Sequence, residues 1–404
     1  MRLRSVALGL LVWTATWAQG MWAVRNVRVF DGSEFHGGWT VVVDGGRIAA
    51  AGRKTKLPQG VRIVDGRGRT LLPGLIDAHV HAVSVEALRA ALAFGVTTEL
   101  DMFSLPGMAA GGGADAADLR TSGILATAPG GHGTEYGVPI PTLRGPQDAD
   151  AFVAARVTDG ADYIKLVLDD GSVFGFARPT LSAETVRAVT IAAHARDKLA
   201  VAHILTKADL RVAVEAGVDV LEHLYAGAPD ADVVRLLARK RIPITPTLSV
   251  LRTGCGKPGA ALADDARIAP YLTSDAAANL RSATGPEHSA EDCRMMLDSV
   301  RQLRAAGVTI LAGTDVPNPG TAHGASLHGE LALLVTAGLS PAEALSAATA
   351  APAAVFRLAD RGRIAPGLRA DLILVDGDPR NDIQVTRHIV TIWKAGVPVE
   401  RRAH

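Results

Sequence analysis

Two histidines one residue apart, His79 and His81, close the apolar segment Leu71-Leu-Pro-Gly-Leu-Ile-Asp-Ala-His-Val-His81. In an extended strand residues i and i+2 point the same way, so both imidazoles project from one face. Two nitrogen bases aimed at one spot are half of a metal site; two polar residues at a strand edge are the plainer reading. Lys165 stands in Tyr163-Ile-Lys-Leu-Val-Leu168 with apolar neighbours on both sides. If Ile164 and Leu166 face outward, Lys165 points inward, where a lone ammonium is costly. Such a lysine is deprotonated, paired with a carboxylate, or carboxylated by CO2 to a carbamate, an anionic oxygen ligand able to bridge two cations. His203 ends Leu199-Ala-Val-Ala-His203, His223 ends Val220-Leu-Glu-His223, and Asp315 ends Thr309-Ile-Leu-Ala-Gly-Thr-Asp315. Taken singly, these read as core histidines and a helix N-cap. Taken together, they repeat one placement: a polar residue at the end of an apolar run.

The elements that must position them alternate. Strand candidates are Gly74–His81, Val96–Phe103, Ile124–Ala128, Tyr163–Leu168, Leu199–Ile204, Val218–Leu224, Ile242–Leu248 and Val308–Asp315. Helical stretches such as Glu86–Phe94, Ala183–Arg196, Ala208–Ala216 and Asp230–Arg239 fill the intervals. Phe94-Gly-Val96, Ala216-Gly-Val218 and Ala306-Gly-Val308 each end a helix with Gly, which accepts the left-handed conformation without a Cβ clash, and open a strand with Val. Eight parallel strands with helices outside make an α/β fold, a (β/α)8 TIM-like barrel, whose active groups gather at the strands' C-terminal ends. The short β segments Val24–Phe30, Thr40–Val43, Arg47–Ala50 and Arg62–Asp65, with Ala370–Val375 and Ile389–Ala395, lie outside this alternation. They predict a discontinuous small β-sandwich domain built from both termini, residues 21–72 and 362–404, around a barrel of residues 73–361.

Composition narrows the class. The 404 residues carry 42 Lys+Arg against 41 Asp+Glu, for a net charge of +1 without charged blocks, which argues against nucleic acid and anionic membranes as partners. Aromatics are only 4%, so stacking platforms for bases are not expected. Met1-Arg-Leu-Arg4 followed by the apolar run Ser5–Trp17 reads as a signal peptide of residues 1–20, hence periplasmic or secreted. The alternative is a start at Met21 and a cytoplasmic protein. Cys255 and Cys293 are the only cysteines, and their pairing is open.

Pro-Gly-Leu-Ile-Asp-Ala-His-Val-His, Tyr-Ile-Lys-Leu, Ala-His, Glu-His-Leu and Gly-Thr-Asp, in this order, resemble the amidohydrolase superfamily. The resemblance is strongest to its imidazolonepropionase-like branch, which includes prolidase-like dipeptidases with two metals, and it covers Arg25 to Pro398. It implies that His79, His81 and Asp315 hold one metal, that His203 and His223 hold the other, and that Lys165 as its carbamate bridges them. Imidazolonepropionases work with one metal and lack this lysine, so Lys165 counts against that activity. Imidazole-rich ligands favour zinc, with manganese or cobalt as alternatives.

Such a pair, about 3.5–4 Å apart, would share a water and lower its pKa toward 7. Asp315 would take a proton during attack and deliver it to the leaving group. The design suits hydrolysis of carbon–nitrogen bonds, as in Xaa-Pro or N-acyl amino acid dipeptidases, and also lactones, esters and phosphotriesters. A metal-dependent lyase or isomerase would need a further base, and a binding module would not need Asp315. His132, in Gly130-Gly-His-Gly133, is a candidate for contacting the substrate carbonyl, with Tyr225 and Arg252 as further substrate contacts. Residues Ser249 to Ala306 are the expected specificity lid. His323 and His328 are expected at the surface or in capping roles, and His194 is expected to be structural. The substrate is a small molecule, and a homo-oligomer is open.

Overall fold

The computed structural model describes residues 20–107, 113–256, 258–283 and 288–404. The expected signal segment lies almost wholly outside these, and no helix among the described residues is long and apolar enough to cross a membrane. In chain order the strands are β1 (Trp22–Phe30), β2 (Phe35–Asp44), β3 (Arg47–Gly52), β4 (Arg62–Asp65), β5 (Arg69–Pro73), β6 (Leu75–Val80), β7 (Val96–Asp101) and β8 (Asp118–Thr121). There follow β9 (Ile164–Leu168), β10 (Ala200–Ile204), β11 (Val220–Glu222), β12 (Ile244–Thr245), β13 (Leu372–Asp376), β14 (Ile389–Lys394) and β15 (Val397–Pro398).

The terminal segments share one mixed sheet in the order β15-β14-β13-β5-β1-β2-β3, with β4 beside β1. Asp44-Gly-Gly-Arg47 makes the β2–β3 hairpin: Gly45 and Gly46 both have positive φ, as the tight primed turn demands. A Cβ on Gly46 would stand 2.7 Å from the Ala395 carbonyl oxygen, so this turn also lets the C-terminal strands approach. Alternate residues of these strands, among them Val24, Val41, Val43, Leu372 and Leu374, bury a core in which Trp22 stacks on Trp393 at 4.7 Å.

Between the termini lie two parallel arrays, β6-β7-β8 and β9 to β12. Single bridges Ala126–Leu166, Ile244–Ile310 and Val80–Val316 link them in the order expected of a barrel. Helices start where side chains cap them: Ser84, Ser182, Thr206 and Asp230 each accept from a backbone N–H of the first turn. They stop where expected, since Gly95, Gly217 and Gly307 all take positive φ.

Two of the expected strands are corrected. The third position is split: β8 pairs with β7, the chain turns at Gly123 (φ 60°), and only Ala126 then meets β9. In the eighth, residues 308–315 form no ladder beyond the Ile310 bridge. Gly313 lets the segment lie close to both sides, since a Cβ there would stand 2.5 Å from Thr245 and 2.8 Å from His79. The segment still bonds both neighbours through its backbone: the Leu311 N–H donates to the Ile244 carbonyl at 2.9 Å, the Ala78 N–H to the Ala312 carbonyl at 2.9 Å and the Asp315 N–H to the His79 carbonyl at 2.8 Å. Asp118 of β8 fastens the parallel part to the terminal sheet, meeting Arg361 at 2.6 Å, Lys394 at 2.8 Å and also Arg369. Burial would raise its pKa, but the three cations hold the carboxyl well below the usual range.

Candidate metal centre

The strand ends converge. His79 Nε2 lies 3.3 Å and His81 Nε2 2.9 Å from Asp315 Oδ1, and His223 Nδ1 lies 3.9 Å from Asp315 Oδ2. His79, His223 and Asp315 each offer a ligand atom within 4.8 Å of the others. His203 stands edge-on to His223, ring centroids 4.5 Å apart. Lys165 is 2% exposed and its Nζ has no hydrogen-bond partner; Nε2 of His203 and Oε1 of Glu222 are likewise buried without one. Ile164, Leu166 and Leu168 belong to the main core while buried Val167, on the same strand face as Lys165, does not, in keeping with the inward direction argued from alternation. Burial pushes the Lys165 amine down to about 8. It also holds His203 and His223 well below the ordinary histidine range, which keeps both imidazoles neutral, the form that ligates. For Asp315, burial would raise the pKa, but the attraction of His79 wins and the carboxyl is held far down. Buried donors of this kind, several lacking partners, fit divalent cations.

The backbone here is strained. His223 (φ 72°), Thr247 (φ 48°) and Asp315 (φ 57°) occupy the left-handed region, uncommon for residues with side chains. At His223 this breaks the alternation of β11, so Glu222 and His223, adjacent in sequence, both turn toward the cluster. A carboxylate only accepts, so His79 Nδ1–H donates to Glu222 Oε2 (2.6 Å), leaving His79 Nε2 as the ligand nitrogen. Thr247 hydrogen-bonds His223 Nδ1 at 2.8 Å. Behind the histidine pair, Asp77 accepts from the Thr314 hydroxyl and backbone N–H (2.7 and 3.0 Å), and Asp101 accepts from the Ala82 N–H at 2.9 Å. Strand alternation hid Glu222 from sequence reasoning; its position beside His223 was the one available signal.

His132 stacks on His203, centroids 5.1 Å apart. Nδ1 of His132 lies 2.7 Å from the Arg178 guanidinium and 3.1 Å from Glu135, and its Nε2 lies 3.3 Å from the Tyr136 hydroxyl. Glu135 and Asp169 balance Arg178 at 3.0 and 3.5 Å. Sequence reasoning missed Arg178, Glu135, Tyr136 and Asp169, since loops carry no periodicity. Tyr225 and Arg252 are engaged elsewhere. The Tyr225 hydroxyl accepts from the Asp230 N–H at 3.2 Å, and Arg252 donates to the Cys293 carbonyl. Cys255 and Cys293 are joined in a disulfide within the expected lid. His194 ends its helix and meets Asp219 at 2.8 Å.

The expectation of surface or capping roles for His323 and His328 is corrected, because both rings are enclosed. His323 pairs with buried Glu99 at 2.9 Å. His328 donates from Nε2 to the Phe94 carbonyl (2.9 Å) and meets the Thr386 hydroxyl through Nδ1. Burial holds His328 at about 4 against an ordinary 6.5. On acidification the unfolded chain therefore takes up this proton first. The stabilisation is whole above about pH 6.5 and is lost as pH falls toward 4, up to about 3 kcal/mol. Urea unfolding across this window should show a shallower acid decline for His328→Gln than for the wild type; parallel curves would refute the assignment.

The amidohydrolase family profile matches residues 70–399, a span that contains every residue of the cluster. The imidazolonepropionase of Streptomyces coelicolor is 29% identical over 391 residues, covering 89% of this chain and 88% of that protein. The ochratoxinase of Aspergillus niger is 28% identical over 288 residues, 69% of this chain and 54% of its own length. A solved Xaa-Pro dipeptidase with bound methionine superposes with TM-score 0.77 at 24% identity, over 94% of this chain and all of that one, which speaks for the TIM-barrel-like α/β fold. With histidines, lysine and aspartate gathered at one end of that fold and the profile running through all of them, the chain belongs to the amidohydrolase family.

Proposed function

We propose that this amidohydrolase is a binuclear metal-dependent hydrolase of amide-type carbon–nitrogen bonds, of the Xaa-Pro or N-acyl amino acid dipeptidase kind. The observation that carries the reading is a buried Lys165 without a partner beside four converging imidazoles and Asp315. His79, His81 and Asp315 would hold one ion, His203 and His223 the other, with Lys165 as its carbamate between them; zinc suits this donor set. When bound, the pair supplies Lewis acidity that polarises the scissile carbonyl and makes a water nucleophilic near neutral pH. Asp315 accepts the proton of the attacking water and passes it to the leaving nitrogen. Glu222 fixes the tautomer of His79, and His132, set between Arg178 and Tyr136, contacts the substrate carbonyl. Tyr225 and Arg252 reach substrate only by exchanging their present contacts. Lys165 favours this activity over that of an imidazolonepropionase.

The same reading takes residues 21–72 and 362–404 as one β unit around a barrel of residues 73–361, supported by their common sheet. It also takes the protein to be exported, supported by the disulfide, which persists in oxidising compartments. The test is a screen of N-acyl amino acids and Xaa-Pro dipeptides beside lactones, esters and phosphotriesters, with zinc-loaded and chelator-stripped protein. Metal-dependent release of amino acid is expected. Turnover of lactones or triesters with none of the amides would overturn it.

A further inference from the structure

Aromatic residues make up only 4% of the chain, yet the exposed aromatic side chains among the described residues share one place. They are Tyr136, Phe174 and Phe176, at 55%, 55% and 51% exposure. All three sit on loops that follow the third strand position and β9, at the end of the fold that carries His203. Ring contacts join them to the cluster. Phe176 lies against the Arg178 guanidinium at 4.6 Å, Arg178 holds His132, Tyr136 meets the His132 ring edge-on at 5.9 Å, and His132 stacks on His203. Phe174 and Phe176 stand nearly parallel, 20° apart with centroids at 6.1 Å. Val138 and Val173, near them in sequence, are exposed as well.

Rings left in water on loops gain free energy when a flat apolar partner covers them, and these lead continuously to the cluster. We infer that Tyr136, Phe174 and Phe176 form a subsite for an aromatic group carried by the substrate beside the bond that is cleaved. Small polar amides leave this subsite uncovered and are poorer substrates. The inference rests on the amide-hydrolase reading above, but its physical content, binding of an aromatic group at this rim, is measurable without turnover.

The experiment compares N-acetyl and N-naphthoyl derivatives of the same amino acid, and measures naphthoate binding by fluorescence quenching. The wild type should prefer the naphthoyl substrate in kcat/KM by about 10–100-fold, and the preference should shrink to about threefold in Phe174→Ala/Phe176→Ala. Naphthoate should bind the wild type at least about tenfold more tightly than the double variant. Ile191→Ser removes an exposed apolar side chain on a helix away from the rim and should leave both quantities unchanged. Failure to hydrolyse either amide, with naphthoate bound by the wild type and lost in the double variant, would sink the amide reading and uphold the rim. Equal kcat/KM for the two amides in the wild type, or unchanged naphthoate binding in the double variant, would overturn the rim. So would a double variant whose sedimentation changes while its selectivity does not, since the rings would then seat a second copy of the chain.

Discussion

Asp315→Asn is expected to lose on the order of 10²–10⁴ in kcat while the protein stays folded and keeps its metal. The aspartate sits at φ 57°, a conformation that asparagine adopts with little penalty and alanine resists. One side-chain oxygen would remain near His79 and His81, so a weak ligand survives. What disappears is the ability to accept and return a proton, because an amide does neither at neutral pH. Steady-state kcat measured beside metal content on the same preparation decides the matter. Near-normal turnover with metal in place would make Asp315 a ligand only, and another residue would have to move the proton.

Lys165→Ala should cost most of the activity through a different route. Wild-type protein prepared with zinc and bicarbonate should hold about two metals per chain, and the variant distinctly fewer. The chemistry balances simply: the neutral amine adds to the carbon of CO2, the nitrogen releases a proton, and an anionic carboxylate results. Burial, which brings the amine down to about 8, supplies the neutral form. The Lys165 amine makes no hydrogen bond, so its removal breaks none and the variant should remain folded. Depleting CO2 during reconstitution should lower metal uptake by the wild type and leave Lys165→Ala unaffected. Two tightly held metals in Lys165→Ala would end the bridging role.

The parts of the site carried on strands were legible from the chain alone. His79, His81, Lys165, His203, His223 and Asp315 each follow or interrupt an apolar run, and the fold gathers them at one end. Glu222 was not legible, because the alternation rule sends it away from His223 and only the positive φ at His223 brings it back. Arg178, Tyr136 and the phenylalanines of the rim lie on loops, where position depends on tertiary contacts. Specificity was expected in residues 249–306, whereas the exposed rings lie elsewhere. The apolar runs at 124–128 and 308–315 misled in part, since the first, turned at Gly123, meets β9 at Ala126 alone and the second bonds its neighbours without forming a regular ladder. Strand β5 escaped notice because Arg69–Pro73 runs almost directly into the segment that bears the histidine pair.

That strand has a consequence for how the protein is made. β5 is held between β1 and β13, with Leu72 opposite Ile373, so its second partner leaves the ribosome only after nearly the whole chain. Just beyond it, the Gly74 N–H donates to the Asp371 carbonyl at 2.7 Å, and this bond anchors the entry to β6 and to His79. Closing so long a loop is slow, and the early strands wait with an open edge. A nascent chain therefore reaches its end before the histidine pair is finally seated.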